Sequence, residues 1–225
     1  MTLTLNSFVE ISNFVLGNPI TVIFGLTGKK EVDEAHLGLI DNLKENFDSV
    51  KFGKISPLGP SEVSAIKQFD LKELPTVLLF ICEDLKPVEV INGYNPGLVF
   101  EKIENIVKSK GNSLKIPTDL NQKIKILTNF KSMVIFMKGI KEEPFCKFSR
   151  ALVQLLSSIN VVNYAHYNIF EDEEIRQGLK DYHNWPTFPQ ICINGEFIGG
   201  YDIVQEMNSN NELISEIPKD AFLDN

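Results

Sequence analysis

The chain of 225 residues has the same predicted order of secondary structure in its two halves, and this duplication constrains the fold more than any other feature. Four apolar runs in the first half predict strands, at 20–24, 50–55, 76–82 and 88–91. Four runs in the second half predict strands in the same order, at 132–137, 163–169, 190–193 and 196–198. Segments with helical periodicity lie between these strands and after the last one. Each half is therefore predicted to form strand–helix–strand–helix–strand–strand–helix, with a crossover that leads into a closing hairpin.

A polar segment that contains Gly and Pro separates the two halves. Residues 109–118 belong to this segment, which lacks a sustained hydrophobic period and is predicted to be a linker. The flanking stretches, 1–108 and 119–225, each have the length of a small domain. We therefore predict an α/β protein with two domains in tandem, each a central mixed sheet flanked by helices.

The charge of the chain and the length of its apolar runs argue against two classes of partner, nucleic acid and membranes. Its net charge is −8, and Arg150 and Arg176 are its only arginines. A nucleic-acid-binding protein needs a dense basic face, preferably rich in Arg. The longest apolar runs fall far short of the ~20 residues that a membrane span requires. We expect neither nucleic acid nor a membrane as a partner.

The cysteines and the early residues predict the cellular compartment. The first Lys is Lys29 and no Arg precedes Arg150, a pattern that fits neither a secretory signal nor an Arg-rich transit peptide. The chain has three cysteines, Cys82, Cys146 and Cys192. A secreted disulfide framework usually has more cysteines and an even number of them. We expect a soluble protein of a reducing compartment, the cytosol or the nucleus.

Cys146 is the strongest candidate for a reactive group. It lies at the predicted start of a helix, where free N–H groups and the positive pole of the helix stabilise a thiolate. Lys138 and Lys147 add positive charge nearby. The alternative is a small apolar residue that fills the helix start. Because Cys146 follows a loop rich in Lys and Gly, we favour a reactive or ligating thiol, whereas Cys82 and Cys192 lie on apolar strands and are predicted to be buried.

Two further segments have the features of a binding site. Pro189 directly precedes a predicted strand, where a cis bond would present the backbone of Thr187 and Phe188 outward; the alternative is an ordinary loop proline. The segment 198–202 leads from an Asn-Gly hairpin into a helix whose first turn would offer N–H groups to a carboxylate. Its Asp202, taken alone, is most simply an N-cap.

These segments together resemble the monothiol glutaredoxins. The resemblance is carried, in order, by Met-Lys-Gly (137–139), Cys-Lys-Phe-Ser (146–149), Glu-Ile-Arg-Gln-Gly (174–178), Trp-Pro-Thr-Phe-Pro-Gln (185–190) and Gly-Gly-Tyr-Asp (199–202). The first half, with Leu-Pro-Thr at 74–76, resembles a thioredoxin domain, although it has no cysteine near 26–30. The resemblance to multidomain monothiol glutaredoxins implies two thioredoxin-fold domains, the first of which lacks the Cys-x-x-Cys pair.

The resemblance implies a glutathione site in the second domain. Lys138 and Arg176 would meet the glycyl carboxylate, with Phe188 alongside. The backbone at Thr187, held by the neighbouring Pro189, would pair with the cysteinyl portion in the manner of a strand.

The other end of that site is implied by the segment that starts the last helix. Gly200, Tyr201 and Asp202 would take the γ-glutamyl end of glutathione, with Asp202 facing the ammonium group. A tripeptide with two carboxylates and one amine suits this set of charges.

The same resemblance implies a [2Fe–2S] cluster, which takes four thiolates. The family holds the cluster between two chains, so that Cys146 of each chain and two glutathione thiolates would complete the site. The implied partners are therefore a second copy of the chain, BolA-like proteins and iron–sulfur acceptor proteins. The first domain would serve as a docking module.

One departure from the family keeps three functions open. The family signature is Cys-Gly-Phe-Ser, and here Lys147 replaces the Gly. A bulky Lys would either obstruct the cluster or lower the pKa of Cys146 and favour thiol exchange. The leading hypothesis is a glutathione-dependent carrier of [2Fe–2S] clusters. The alternatives are a weak glutathione-dependent thiol–disulfide exchange (deglutathionylation) through Cys146, and a regulatory adaptor without either activity.

Overall fold

The computed structural model describes residues 2–71, 73–111 and 113–223, and the chain divides into two compact units, Met1–Pro117 and Thr118–Asn225. Each unit is built on one mixed β-sheet flanked by helices. The prediction of an α/β protein with a mixed sheet in each half is thus confirmed. No helix in the described parts of the chain is long and apolar enough to cross a bilayer.

The first unit contains two elements that the sequence did not predict, a short strand and a helix before residue 20. Its strands are β1 (Leu3–Thr4), β2 (Ile20–Gly25), β3 (Val50–Ile55), β4 (Thr76–Ile81) and β5 (Glu89–Asn92). Its helices are α1 (Phe8–Leu16), α2 (Lys30–Asn46), α3 (Pro60–Lys67) and α4 (Pro96–Lys110). The strand order in the sheet is β1–β3–β2–β4–β5, in which β2 runs parallel with β3 and antiparallel with β4. Both β2 and β4 are buried along their whole length, because each lies between two other strands and consists largely of apolar residues.

Parts of the predicted linker belong to the first unit. Helix α4 continues to Lys110, and residue 112 lies outside the described residues. Leu114 packs against the core of the first unit, and the Sγ of Cys82 donates a hydrogen bond to the carbonyl of Lys115 at 3.3 Å. The boundary between the units consequently falls after Pro117.

The second unit contains the predicted order of elements, with one helix before its first strand and a short helix after the last predicted helix. Its strands are β6 (Met133–Met137), β7 (Ala165–Asn168), β8 (Gln190–Ile193) and β9 (Glu196–Gly199). Its helices are α5 (Leu120–Thr128), α6 (Lys147–Ser158), α7 (Glu173–Tyr182), α8 (Tyr201–Ser209) and α9 (Leu213–Glu216). The strand order is β7–β6–β8–β9, with β6 parallel to β7 and antiparallel to β8.

The register of this second sheet brings the candidate site residues to one end of it. Met137 pairs with Asn168 at the carboxyl ends of β6 and β7, while Gln190, at the start of β8, pairs with Phe136 near the end of β6. Gly199, at the end of β9, pairs with β8 one residue further on. The loops after β6, β7 and β9 and the loop before β8 therefore meet at the same end of the sheet.

Candidate functional site

Cys146 lies at the N-terminus of α6, where its thiol receives hydrogen bonds from the first turn of the helix. The backbone N–H of Ser149 donates to Sγ at 3.3 Å, and the Oγ of Ser149 lies 3.2 Å from the same sulfur. Partial burial raises the pKa of the thiol, but the hydrogen bonds from Ser149, the N–H of Phe148 and the charge of Lys138 outweigh it. The pKa of Cys146 is therefore lowered from its ordinary value, as expected for a thiol at a helix N-terminus.

Lys147 contacts a neighbouring aromatic ring. Its Nζ lies 4.9 Å from the centroid of the Phe148 ring, in a cation–π contact. The lysine that lowers the pKa of Cys146 is Lys138. The replacement of the family's Gly by Lys147 thus leaves the thiolate stabilised by its helix and by Lys138.

Two cationic side chains, those of Lys138 and Arg176, both lie over the aromatic ring of Phe170. The Nζ of Lys138 lies 5.9 Å from the centroid of Phe170, and the guanidinium of Arg176 lies 5.8 Å from it. Arg176 also bonds Glu173 through Nη1 at 2.8 Å, whereas its buried Nε has no partner among the residues that the structure describes. Two positive groups on one ring form a site for an anion, such as a carboxylate.

Sequence reasoning missed Phe170, although a signal was present. It lies two residues after the buried strand β7, yet half of its surface is exposed. Its ring also stacks against Phe145 at 6.5 Å, with 19° between the ring planes. The available signal was the position of this apolar residue, which lies beyond the end of a strand that leads to the site and not within the strand.

A cleft of about 280 Å³ joins two of the predicted binding segments. Its lining consists of Phe148, Thr187, Phe188, Pro189, Tyr201 and Asp202. The bond between Phe188 and Pro189, whose isomer the sequence left open, is cis. The backbone before it is held by Gln190, a fully buried side chain whose Nε2 donates to the carbonyls of Trp185 and Thr187 at 2.9 and 3.2 Å.

The N-terminus of α8 differs from the simplest sequence interpretation. Gly200, not Asp202, is the N-cap residue, so Asp202 lies in the first turn and its side chain is not used for capping. The exposed carboxylate of Asp202 makes no hydrogen bond or ion pair within the part of the chain that is described. A Cβ on Gly200 would come within 3.0 Å of Asp202 Oδ1 and 3.2 Å of Trp185 Nε1. Glycine therefore keeps the space open between these two polar groups.

The other two cysteines do not reach this site. Cys82 and Cys192 are fully buried. Burial raises the pKa of both thiols, that of Cys192 to about 12. Within residues 2–71, 73–111 and 113–223, no group of three or more His, Cys, Asp or Glu side chains is arranged to hold a metal ion. Each chain therefore offers Cys146 as its accessible thiol.

The loop at 26–30 in the first unit contains no cysteine, and its backbone is held by hydrogen bonds to the carboxylate of Asp33. Asp33 is buried and accepts hydrogen bonds from the N–H groups of Thr27 and Gly28, each at 2.9 Å. The hydroxyl of Thr27 donates to the same carboxylate at 2.9 Å. This loop offers no thiol for redox chemistry.

Comparison with known proteins agrees with the resemblance seen in the sequence. The family model described as Glutaredoxin matches residues 133–198. Monothiol glutaredoxin-4 of Schizosaccharomyces pombe is 48% identical over 208 residues, which cover 80% of this chain and 83% of that protein. Glutaredoxin 3 of Danio rerio is 37% identical over 187 residues, which cover 81% of this chain and 56% of that protein.

The coverage of these relatives is unequal. The chain spans only a little over half the length of the glutaredoxin 3 proteins from Danio rerio and Homo sapiens. Among solved structures, a buckwheat glutaredoxin–glutathione complex is 22% identical with a TM-score of 0.41, and the match covers 46% of this chain and 93% of that one.

Proposed function

Because this chain belongs to the monothiol glutaredoxins, we propose that its second unit binds glutathione and uses Cys146 to carry [2Fe–2S] clusters to acceptor proteins. The observation that carries this proposal is the accessible Cys146 thiol, whose pKa is lowered, beside a cleft formed by the segments 187–189 and 201–202. A thiolate is the form of cysteine that binds metal and attacks disulfides. Glutathione and cluster binding are assigned to the second unit, and the partners proposed for the whole chain depend on this assignment.

The charged residues near Cys146 and the one in the cleft suit the carboxylate ends and the amine of glutathione. Lys138 and Arg176, which share the Phe170 ring, would bind the glycyl carboxylate. Phe188 would lie alongside this end, as the resemblance implies. Its position next to the cis bond makes the backbone of this segment available to an extended peptide, although Gln190 already occupies the Thr187 carbonyl.

The γ-glutamyl end would be bound at the start of α8. The N–H groups of the first turn, after Gly200, favour a carboxylate, since the N-terminus of a helix carries a partial positive charge. The exposed carboxylate of Asp202 would pair with the ammonium group, and Tyr201 lines the same cleft. One end of the ligand thus meets both signs of charge that an amino-acid terminus requires.

The cluster is cargo in this proposal, and the thiols of the chain decide how it is held. A [2Fe–2S] cluster needs four thiolates. Because Cys82 and Cys192 are buried, one chain supplies Cys146 alone, which fits a cluster shared between two chains and does not fit a site within one. Two Cys146 thiolates and two glutathione thiolates complete the four, so the loaded form would be a homodimer. BolA-like proteins and iron–sulfur acceptor proteins would be its partners, and the first unit, without a thiol at 26–30, would dock them.

The lowered pKa of Cys146 favours thiol exchange as a second candidate function. In that reaction the Cys146 thiolate attacks the glutathione sulfur of a protein–glutathione mixed disulfide, and the protein leaves as a thiolate. The thiolate of a second glutathione then attacks the Cys146–glutathione disulfide. Oxidised glutathione leaves, and the Cys146 thiolate is restored. Both functions use the same cleft and the same sulfur.

Serine variants of two cysteines test whether Cys146 is the functional thiol. We expect Cys146→Ser to abolish both glutathione-dependent cluster loading and the reduction of a glutathionylated peptide. Cys192→Ser is the matched control, because the Cys192 thiol is buried and its pKa is raised to about 12, so that it stays protonated near neutral pH. Loss of both activities in Cys146→Ser and retention in Cys192→Ser support the assignment. Unchanged cluster loading in Cys146→Ser would contradict it.

A further inference from the structure

Asn168 joins two loops beside the thiol that are distant in sequence. It is the last residue of β7, and its side chain is buried, with 8% of its surface exposed. Its Oδ1 accepts the N–H of Gly139, 29 residues away, at 2.8 Å and the N–H of Phe170 at 3.3 Å. Its Nδ2 donates to Glu171 at 2.7 Å. Because both ends of the amide are bonded, its orientation is fixed.

The first of these loops carries Lys138. The N–H of Lys138 donates to the Oγ of Ser149 at 3.2 Å, and its carbonyl accepts the N–H of Phe145 at 2.9 Å. The next N–H, that of Gly139, is the one that Asn168 accepts. The peptide group between Lys138 and Gly139 is thus held by hydrogen bonds on both of its sides. The direction in which the Lys138 side chain leaves the backbone follows from this arrangement.

The second loop carries Phe170, whose ring is half exposed and is not held by burial. Its position depends on the backbone of the segment 170–171, to which Asn168 makes two hydrogen bonds. The Oδ1 of Asn168 accepts the N–H of Phe170, and the carbonyl of Asn168 accepts the N–H of Glu171 at 3.1 Å. One amide oxygen therefore accepts both the N–H of Gly139, the residue after Lys138, and the N–H of Phe170, over whose ring Lys138 lies.

We propose that Asn168 is a positioning residue for the recognition of the glycyl carboxylate of glutathione. It holds Lys138 and Phe170 in a fixed relation, so that Lys138 and Arg176 stand over one ring and meet the same carboxylate. Holding two cations together before the ligand arrives costs free energy in the unbound protein, and the hydrogen bonds of Asn168 supply part of it. Preorganisation of this kind raises affinity without any contact to the ligand. The inference rests on the proposed glutathione binding and concerns one end of the ligand only.

The test compares two ligands that differ only at the glycyl carboxylate. Reduced glutathione and its glycyl monoethyl ester are titrated calorimetrically, under anaerobic conditions, into the full chain and into Asn168→Ala. We expect the variant to bind glutathione about tenfold more weakly, in line with the loss of a buried hydrogen-bonded arrangement. Its affinity for the ester should match that of the unchanged chain, because the ester has no carboxylate at that end. Asn163→Ala, two residues before the start of the same strand, is the matched control and should leave both affinities unchanged.

An equal loss for both ligands, or no loss for either, would overturn the role of Asn168. A general loosening of the site weakens both ligands alike, so the ratio separates positioning from a structural effect. If Asn168→Ala does not fold, as judged by circular dichroism, Asn168→Thr keeps one acceptor oxygen and is judged by the same ratio. Failure of the unchanged chain to bind glutathione would overturn the proposed function together with this inference. Binding by the unchanged chain without a selective loss in the variant would overturn this inference alone.

Discussion

Replacing Ser149 with alanine removes a hydrogen bond on which the reactivity of Cys146 depends. The Oγ of Ser149 lies 3.2 Å from the sulfur and accepts the N–H of Lys138 at 3.2 Å. The hydroxyl oxygen of Ser149 already accepts a hydrogen bond from the Lys138 N–H. When Cys146 is ionised, the hydroxyl proton of Ser149 is therefore donated to the sulfur. Ser149→Ala should therefore raise the pKa of Cys146, while the backbone N–H at 3.3 Å is kept.

The size of the effect follows from the hydrogen bond that is lost. Hydrogen bonds to charged groups contribute about 1.5–3 kcal/mol. Because Cys146 is only partly buried, solvent screens its charge, and we take the lower end of that range. About 1.4 kcal/mol corresponds to a factor of about ten in the ionisation equilibrium. The fraction of thiolate near neutral pH should fall by about that factor.

Alkylation with iodoacetamide across a pH series measures this directly, since the thiolate is the reacting form. Peptide mass spectrometry assigns the rate to Cys146. The rate rises as pH increases through the pKa of the thiol, so the curve for Ser149→Ala should shift to higher pH. Ser158→Ala, at the exposed end of the same helix, is the matched control and should not shift it. A curve for Ser149→Ala that coincides with that of the unchanged chain would refute the role of this hydroxyl.

Three other predictions test neighbouring parts of the site. Asp202→Asn should weaken glutathione binding about tenfold in calorimetry, because it removes the partner of the ligand's ammonium, whereas the exposed Asp181→Asn should not; equal affinities would contradict the assignment. Lys147→Gly should leave the pH curve for Cys146 alkylation in place, because the Lys147 ammonium lies over a neighbouring ring; a shift to higher pH would show that Lys147 does act on the thiol. Cys192 should resist alkylation until the chain is unfolded, because burial raises its pKa to about 12; labelling in the folded chain would disprove its burial.

The sequence predicted those parts of the site that depend on local pattern. Cys146 was identified because a loop rich in Lys and Gly gives way to a helical period at that point. The hairpin between β8 and β9 was identified from Asn194 and Gly195, both of which adopt positive φ angles as a tight turn requires. These features need only a few neighbouring residues to be specified.

The sequence did not predict features that depend on contacts between distant segments. The roles of Asn168 and Phe170 arise where the loops after β6 and β7 meet, and no short motif marks that meeting. The hydrogen bond from the Cys82 thiol to the linker is of the same kind, since the thiol and the Lys115 carbonyl are 33 residues apart.

Helix α2 shows how a polar residue can take a position that a pattern assigns to an apolar one. Its helical period predicts that Val32 and Ala35 face the core, yet both are exposed. Asp33 and His36 are buried in their place. The reason is the loop before the helix, because the carboxylate of Asp33 satisfies the N–H groups of that loop and must lie inside to do so. Hydrophobic periodicity alone does not contain this information.

Anaerobic reconstitution with iron and sulfide, carried out with and without glutathione, tests the central claim most directly. Visible absorption, iron content and particle mass are measured on the full chain in both conditions. A chromophore that requires glutathione, on a particle of two chains with about one iron per chain, is the predicted result, since two chains share one [2Fe–2S] cluster. A colourless single chain in the presence of glutathione would contradict the account.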